Sequence, residues 1–259
     1  MQIGWLFQRR WVLVGTMLGA CACGLASKDE PRAAPAVTPA TPTPKLVEET
    51  PKAHESAENL AIHMRDHLNF VTQARDALIR GRLTDAAGAL TWLAHHREPT
   101  GLAHAQPFLD RLQQHARRGV DSGDLPSAAD AVGALATTCG ECHEVFKGGP
   151  KLDPSGLEDL NATLTVASHM HDYLWATETL WNALVVDPAL WETGVEALAT
   201  LKPPTKPREL AAGFAAVRAW AQDAKAAKTF VQRGQAYGQL VATCGGCHQT
   251  HGVDPAAAE

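Results

Sequence analysis

Cys139-Gly140-Glu141-Cys142-His143 ends one long stretch of this chain, and Cys244-Gly245-Gly246-Cys247-His248 ends another. Each reads Cys-x-x-Cys-His. The segments before them, Ala131-Val132-Gly133-Ala134-Leu135 and Ala236-Tyr237-Gly238-Gln239-Leu240, match at an offset of 105 residues. Farther upstream, His63-Met64-Arg65-Asp66 matches His169-Met170-His171-Asp172 at an offset of 106. The chain is therefore an internal duplication, with a His-Met pair near the start of each unit and a paired-thiol motif at its end. Unit one covers residues 54–150 and unit two residues 157–259.

Apolar periodicity and turn residues divide each unit into four helices. The pattern predicts helices over 55–80, 84–97, 104–118 and 126–147, then over 159–186, 188–201, 208–224 and 229–249. Gly81, Pro99-Thr100-Gly101 and the stretch from Gly119 to Asp124 separate the first four. Asp187-Pro188 supplies an N-cap followed by proline in the first turn, and Pro203, Pro204 and Pro207 part the sixth helix from the seventh. No alternation of period two stands out, so almost no sheet is expected. About a hundred residues in four short-looped helices imply an antiparallel bundle. The expected fold class is all-α: two tandem four-helix bundles, each ending in its motif.

Cys-x-x-Cys-His is the attachment signature of a c-type haem. Two thiols reach the two vinyl groups on one porphyrin edge, and the next imidazole swings under the ring to the iron. On a helix, Cys139 and His143 lie one turn apart on one face, as do Cys244 and His248. The spacing predicts two covalently attached haem c groups, held by Cys139 and Cys142 and by Cys244 and Cys247, with His143 and His248 as proximal iron ligands. A single zinc shared between two Cys pairs about a hundred residues apart exceeds ribbon spacing. A thioredoxin-like motif would need a βαβ setting, which is not visible. Leu135, Cys139, Cys142, His143 and Phe146 share a helical face, as do Leu240, Cys244, Cys247, His248 and His251.

The N-terminus points to export. Arg9 and Arg10 flank a short apolar run from Trp11 to Ala20, too short to span a bilayer, so residues 1–20 read as a signal peptide. Leu18-Gly19-Ala20-Cys21 resembles a bacterial lipoprotein processing box, which implies lipidation at Cys21 and an anchor on the periplasmic side of the envelope. Ala22 after that cysteine slightly favours the outer membrane by the same analogy. Residues 21–53 carry Pro31, Pro35, Pro39, Pro42, Pro44 and Pro51 with few apolar side chains, the composition of a disordered tether. Of six cysteines, four serve the motifs and one takes lipid, leaving Cys23. Removal of residues 1–20 leaves 21 basic against 28 acidic side chains, a formal charge of −7, which argues against nucleic-acid binding.

A haem motif at the C-terminal end of a four-helix bundle resembles the class II c-type cytochromes, the cytochrome c′ group. Glu144-Val145-Phe146-Lys147 after the first motif is similar to that group's aromatic and basic residues; the second unit departs, with His251 and Gly252 there. Only eleven residues follow His248, too few for the class I arrangement with its long downstream segment. The resemblance implies that the first helix of each unit faces the far side of the iron. Some members place an apolar residue there and others Met. In unit one the stripe Leu60, Met64, Leu68, Val71, Leu78 points Met64 inward, with His67 on its flank. Unit one also offers His63, and unit two offers Met170, with His169 and His171 beside it and Tyr173 in the place of His67. The distal candidates are thus Met64, His67, Met170 and His171, the Met pair being common to both units. A Met on an apolar face also serves as core filler.

These features imply a lipid-anchored di-haem cytochrome that passes single electrons between redox partner proteins, with no substrate transformation. Open iron sites that bind nitric oxide or carbon monoxide are the alternative. A di-haem peroxidase is the enzymatic one, though known members use class I domains and calcium. His95 and His96 close the second helix, while His104, His115 and His251 look like surface residues. Trp175, Trp181, Trp191 and Trp220 read as packing for the second bundle.

Overall fold

The chain is seen here in a computed structural model that describes residues 53–97, 102–150, 166–203 and 208–252. The signal segment 1–20, Cys21, nearly all of the tether 21–53 and the expected first turns of the fifth helix lie outside the described residues. Eight α-helices follow in chain order: α1 Ala53–Ile79, α2 Leu83–His95, α3 Gln106–Val120, α4 Leu125–Phe146, α5 Val166–Val185, α6 Leu190–Thr200, α7 Ala211–Ala224 and α8 Phe230–His251. Short 3-10 turns, Ala103–Ala105 and Arg208–Leu210, lead into α3 and α7. The described residues contain no strand.

Local chemistry sets the ends of the helices. Asp124 caps α4 by accepting from the Ser127 amide at 2.7 Å. Thr229 and Gln232 form a reciprocal capping box at the start of α8, with bonds of 3.1 and 3.2 Å. Gly81 takes φ +73° and closes α1, its amide donating to the Leu78 carbonyl at 2.9 Å. One expected start shifts: α6 begins at Leu190, two residues beyond Pro188. Asp187 still accepts from the Ala189 amide at 3.0 Å, but it stabilises the turn before the helix rather than the helix end.

Neighbours in sequence pack as neighbours in space, α1 on α2, α2 on α3 and α3 on α4, and likewise from α5 to α8. The broadest helix pair, however, is α4 with α8, and both α1 and α5 touch each member of that pair. Backbones approach closely there. A Cβ on Gly133 would run into the Gly234 carbonyl, and one on Gly238 would lie 2.9 Å from the Ala129 carbonyl. The Thr137 hydroxyl lies within hydrogen-bond reach of the Gly133 and Phe230 carbonyls, at 3.0 and 3.1 Å.

One continuous core runs from Val71, Leu78, Leu90 and Leu135 to Leu180, Leu184, Trp191 and Leu240. Beside it Arg75 of α1, 2 % exposed, forms a two-pronged pair with Glu178 of α5 and lies 4.9 Å from the Trp181 ring centre. A second, small cluster stands apart: Leu102, Ala105 and Leu109, with Leu60 and Met64 packed against it. No helix of the described residues is long and apolar enough to cross a membrane.

Candidate functional site

Both Cys-x-x-Cys-His motifs fall in the last two turns of a helix, on α4 and on α8. All four cysteines are unpaired and half-buried. Burial, reinforced by the neighbouring motif thiol, pushes Cys139 and Cys244 up to about 12. Burial also raises Cys142, against the pull of the nearby Arg111 guanidinium, and raises Cys247. The four sulfurs are thus protonated thiols at neutral pH, the state that adds across a vinyl group to form a thioether.

The motif histidines are fixed from outside their own half. His143 donates from Nδ1 to the Val185 carbonyl at 2.7 Å, and His248 donates from Nδ1 to the Ile79 carbonyl at 2.6 Å. Val185 ends α5 and Ile79 ends α1. Each carbonyl is one that its helix cannot satisfy internally. The three carbonyls before Ile79 are taken by the amides of Arg80, Arg82 and Gly81, so the imidazole completes that helix end. Burial lowers the His248 imidazole below its ordinary value, and the carbonyl bond opposes this.

The glycine after the first cysteine of each motif permits this approach. A Cβ on Gly140 would collide with the Leu184 carbonyl, and one on Gly245 with the Leu78 carbonyl. Motif one therefore sits against the end of α5 and motif two against the end of α1. Such a donor set fits a haem c. Two thiols stand on one helix face, and an imidazole with Nδ1 committed to a backbone carbonyl would leave Nε2 to hold an iron, the usual way a ligand histidine is held.

The structure separates the distal candidates. Met64 faces the small cluster of Leu102, Ala105 and Leu109. That cluster lies at the start of α3, the end that meets the end of α4, where His104 and Phe146 rings are 5.1 Å apart. His67, 4 % exposed, is buried more deeply than the sequence suggests and leans to α2, edge-on to Trp92 at 5.8 Å. Burial, then the charges of His63 and His96, lower it to about 3. In the second half Met170 packs half-buried on the main core, and His171 is exposed. Tyr173 is buried, 5.2 Å from the Phe214 ring. The Tyr173 hydroxyl has no hydrogen-bond partner among the described residues, and burial raises its pKa.

Other expectations sort themselves by burial. Trp181, Trp191 and Trp220 are core, Trp175 is half-buried, and His104 and His251 are exposed. His115 is half-buried instead of exposed, because it packs beside Arg118. His95 donates from Nδ1 to the Thr91 carbonyl at 3.0 Å. His96 turns inward and joins His63 and His67 in a cluster that helix-end reasoning missed. The available signal was His63 and His67 one turn apart on α1, which needed the α1–α2 packing to acquire a third member. Comparison of the chain with family models, curated proteins and solved structures returned no match.

Proposed function

We propose that this chain is a lipid-anchored, di-haem c-type cytochrome that carries single electrons on the periplasmic side of a bacterial envelope. In this reading α1–α4 and α5–α8 are two tandem four-helix bundles of cytochrome c′-like design. The observation that carries it is the pair of Cys-x-x-Cys-His motifs at equivalent helix ends, each with its histidine held by a carbonyl of the opposite half.

Bound covalently, haem c supplies a one-electron iron couple. The chain's own groups have definite tasks. Cys139, Cys142, Cys244 and Cys247 give thioether anchors. His143 and His248 would give proximal imidazoles, and their carbonyl bonds would fix the tautomer and raise ligand basicity. Met64 and Met170 would be the distal ligands, because His67 is drawn to α2 and His171 is exposed. In this reading the chain carries electrons and transforms no substrate. Lipidation of Cys21 and the proline-rich tether would keep the module within reach of membrane-bound redox partners.

The first test is covalent haem content and the visible spectrum of the reduced protein, before and after carbon monoxide, on chain produced with a c-type maturation system. Two haems per chain and sharp low-spin bands indifferent to the gas are expected, falling to one haem in C139A/C142A. A chain that matures without covalent haem overturns the assignment. A high-spin spectrum that shifts with carbon monoxide replaces electron carriage with gas binding and removes Met64 and Met170 as ligands.

A further inference from the structure

We infer that His63, His67 and His96 form a separate binding site for one divalent transition-metal ion of the zinc class, distinct from the two Cys-x-x-Cys-His sites. One ring nitrogen from each of the three lies within 4.8 Å of the other two. His63 and His67 lie one turn apart on α1, and His96 is the residue that caps α2. His63 Nδ1 and His96 Nε2 are hydrogen-bonded at 3.2 Å. Two nitrogens on a tetrahedral zinc with ordinary Zn–N bonds stand about 3.3 Å apart, so this pair already has the spacing a metal requires. The proton that the two rings now share is what an ion would displace.

The surroundings hold the rings in place. The Trp92 ring stacks on His96 at 3.9 Å and 23°, and Phe70 stacks on Trp92 at 4.0 Å and 14°. The His63 and His67 rings are 4.4 Å apart, and His67 is 4 % exposed. The Gln113 side chain donates to the His96 carbonyl at 3.0 Å, tying the end of α2 to α3. A ligand set braced in this way loses little freedom on binding. Three imidazole donors select zinc, copper or nickel over calcium or magnesium.

The second half offers an internal control. Tyr173 stands where the first half has His67, and Leu201 caps α6 where His96 caps α2. Among the described residues that half has no comparable site. The inference does not depend on the haem assignment, because none of its three residues belongs to a Cys-x-x-Cys-His motif.

Zinc stoichiometry by elemental analysis after equilibrium dialysis of the full chain, with haem attached, tests it. H67A and H96A are each expected to lose one equivalent of zinc, with affinity at that site down more than about 100-fold. H171A, in the other half, is expected to lose none. Circular dichroism confirms that each variant is folded, and H96A, at a helix end, is the one best placed to fold unaltered. Retention of the full zinc content by folded H96A overturns the site. So does a haem spectrum in H67A that turns high-spin, because His67 would then be an iron ligand. If the chain carries no haem at all, the subtraction of one equivalent between wild type and H96A still decides the matter, whatever the free thiols bind.

Discussion

The two halves present their motifs in the same way and face them differently. In each, a glycine after the first cysteine lies against the end of the other half's first helix, and the motif histidine bonds that helix's last carbonyl. Across from the motifs the halves part. The first buries His67 with His63 and His96 against Trp92. The second packs Tyr173 on Phe214 and leaves its hydroxyl without a hydrogen bond among the described residues. The shared part is a backbone relation, in which each copy supplies the surface that the other needs. The divergent part is side-chain chemistry on α1 and α5, which can change in one copy without disturbing the other.

The largest effect expected is at the crossed contacts. G245A drives a Cβ onto the Leu78 carbonyl, and G140A drives one onto the Leu184 carbonyl. Neither carbonyl can retreat without opening a helix end, so each substitution should cost about 3 kcal/mol in urea unfolding at unchanged m. Gly246 is the neighbouring control: a Cβ there meets nothing within 4 Å, and G246A should gain up to about 1 kcal/mol from helix propensity. Equal effects for G245A and G246A would break the reciprocal packing. Next comes E178A, which removes the partner from Arg75, whose side chain is 3 % exposed. A buried charge left short of a partner costs about 3 kcal/mol, held to the lower end here because Asp76 still accepts from Arg75 at 2.7 Å. A loss under about 0.5 kcal/mol would show that the α1–α5 contact is not anchored by this pair.

Much of this architecture was legible in the sequence. The offsets of 105 and 106 residues gave the duplication, and α1–α4 and α6–α8 lie within three residues of their expected bounds. Helix periodicity and punctuation are local signals, carried by residues such as Gly81, Asp187 and Pro203. The placement of the motifs was legible for the same reason. What was hidden is non-local. Nothing in Cys139 to His143 says that its glycine and histidine meet α5 instead of its own bundle. Nor does a histidine pair at the end of α2 announce that His96 will turn toward α1, because that depends on Trp92 stacking between the helices. His67 and Met64 differ by less than a turn in sequence, and only the packing of α2 and α3 assigns them to different neighbours.

Smaller changes sharpen the contrast between the halves. Y173F removes a hydroxyl that is buried without a partner, and so should stabilise the haem-free chain by about 1 kcal/mol. A loss of similar size would mean that the hydroxyl is satisfied in solution. The smallest effect concerns the helix ends. After α4 the backbone turns left-handed at Lys147, φ 51°, and after α8 it does so at Gly252, φ 62°. A side chain in that region costs about 1–2 kcal/mol, while glycine returns about 0.4–1 kcal/mol to the unfolded chain as entropy. The strain is the larger of the two, so K147G should gain roughly 0.5 kcal/mol and G252K should lose a similar amount. Thermal unfolding of both variants reads the sign directly. Opposite shifts would mean that the two helix ends are sterically equivalent and differ only in how well their residue suits the turn. A destabilised K147G would instead mean that the lysine stem packs on the first motif, where the second half has no counterpart.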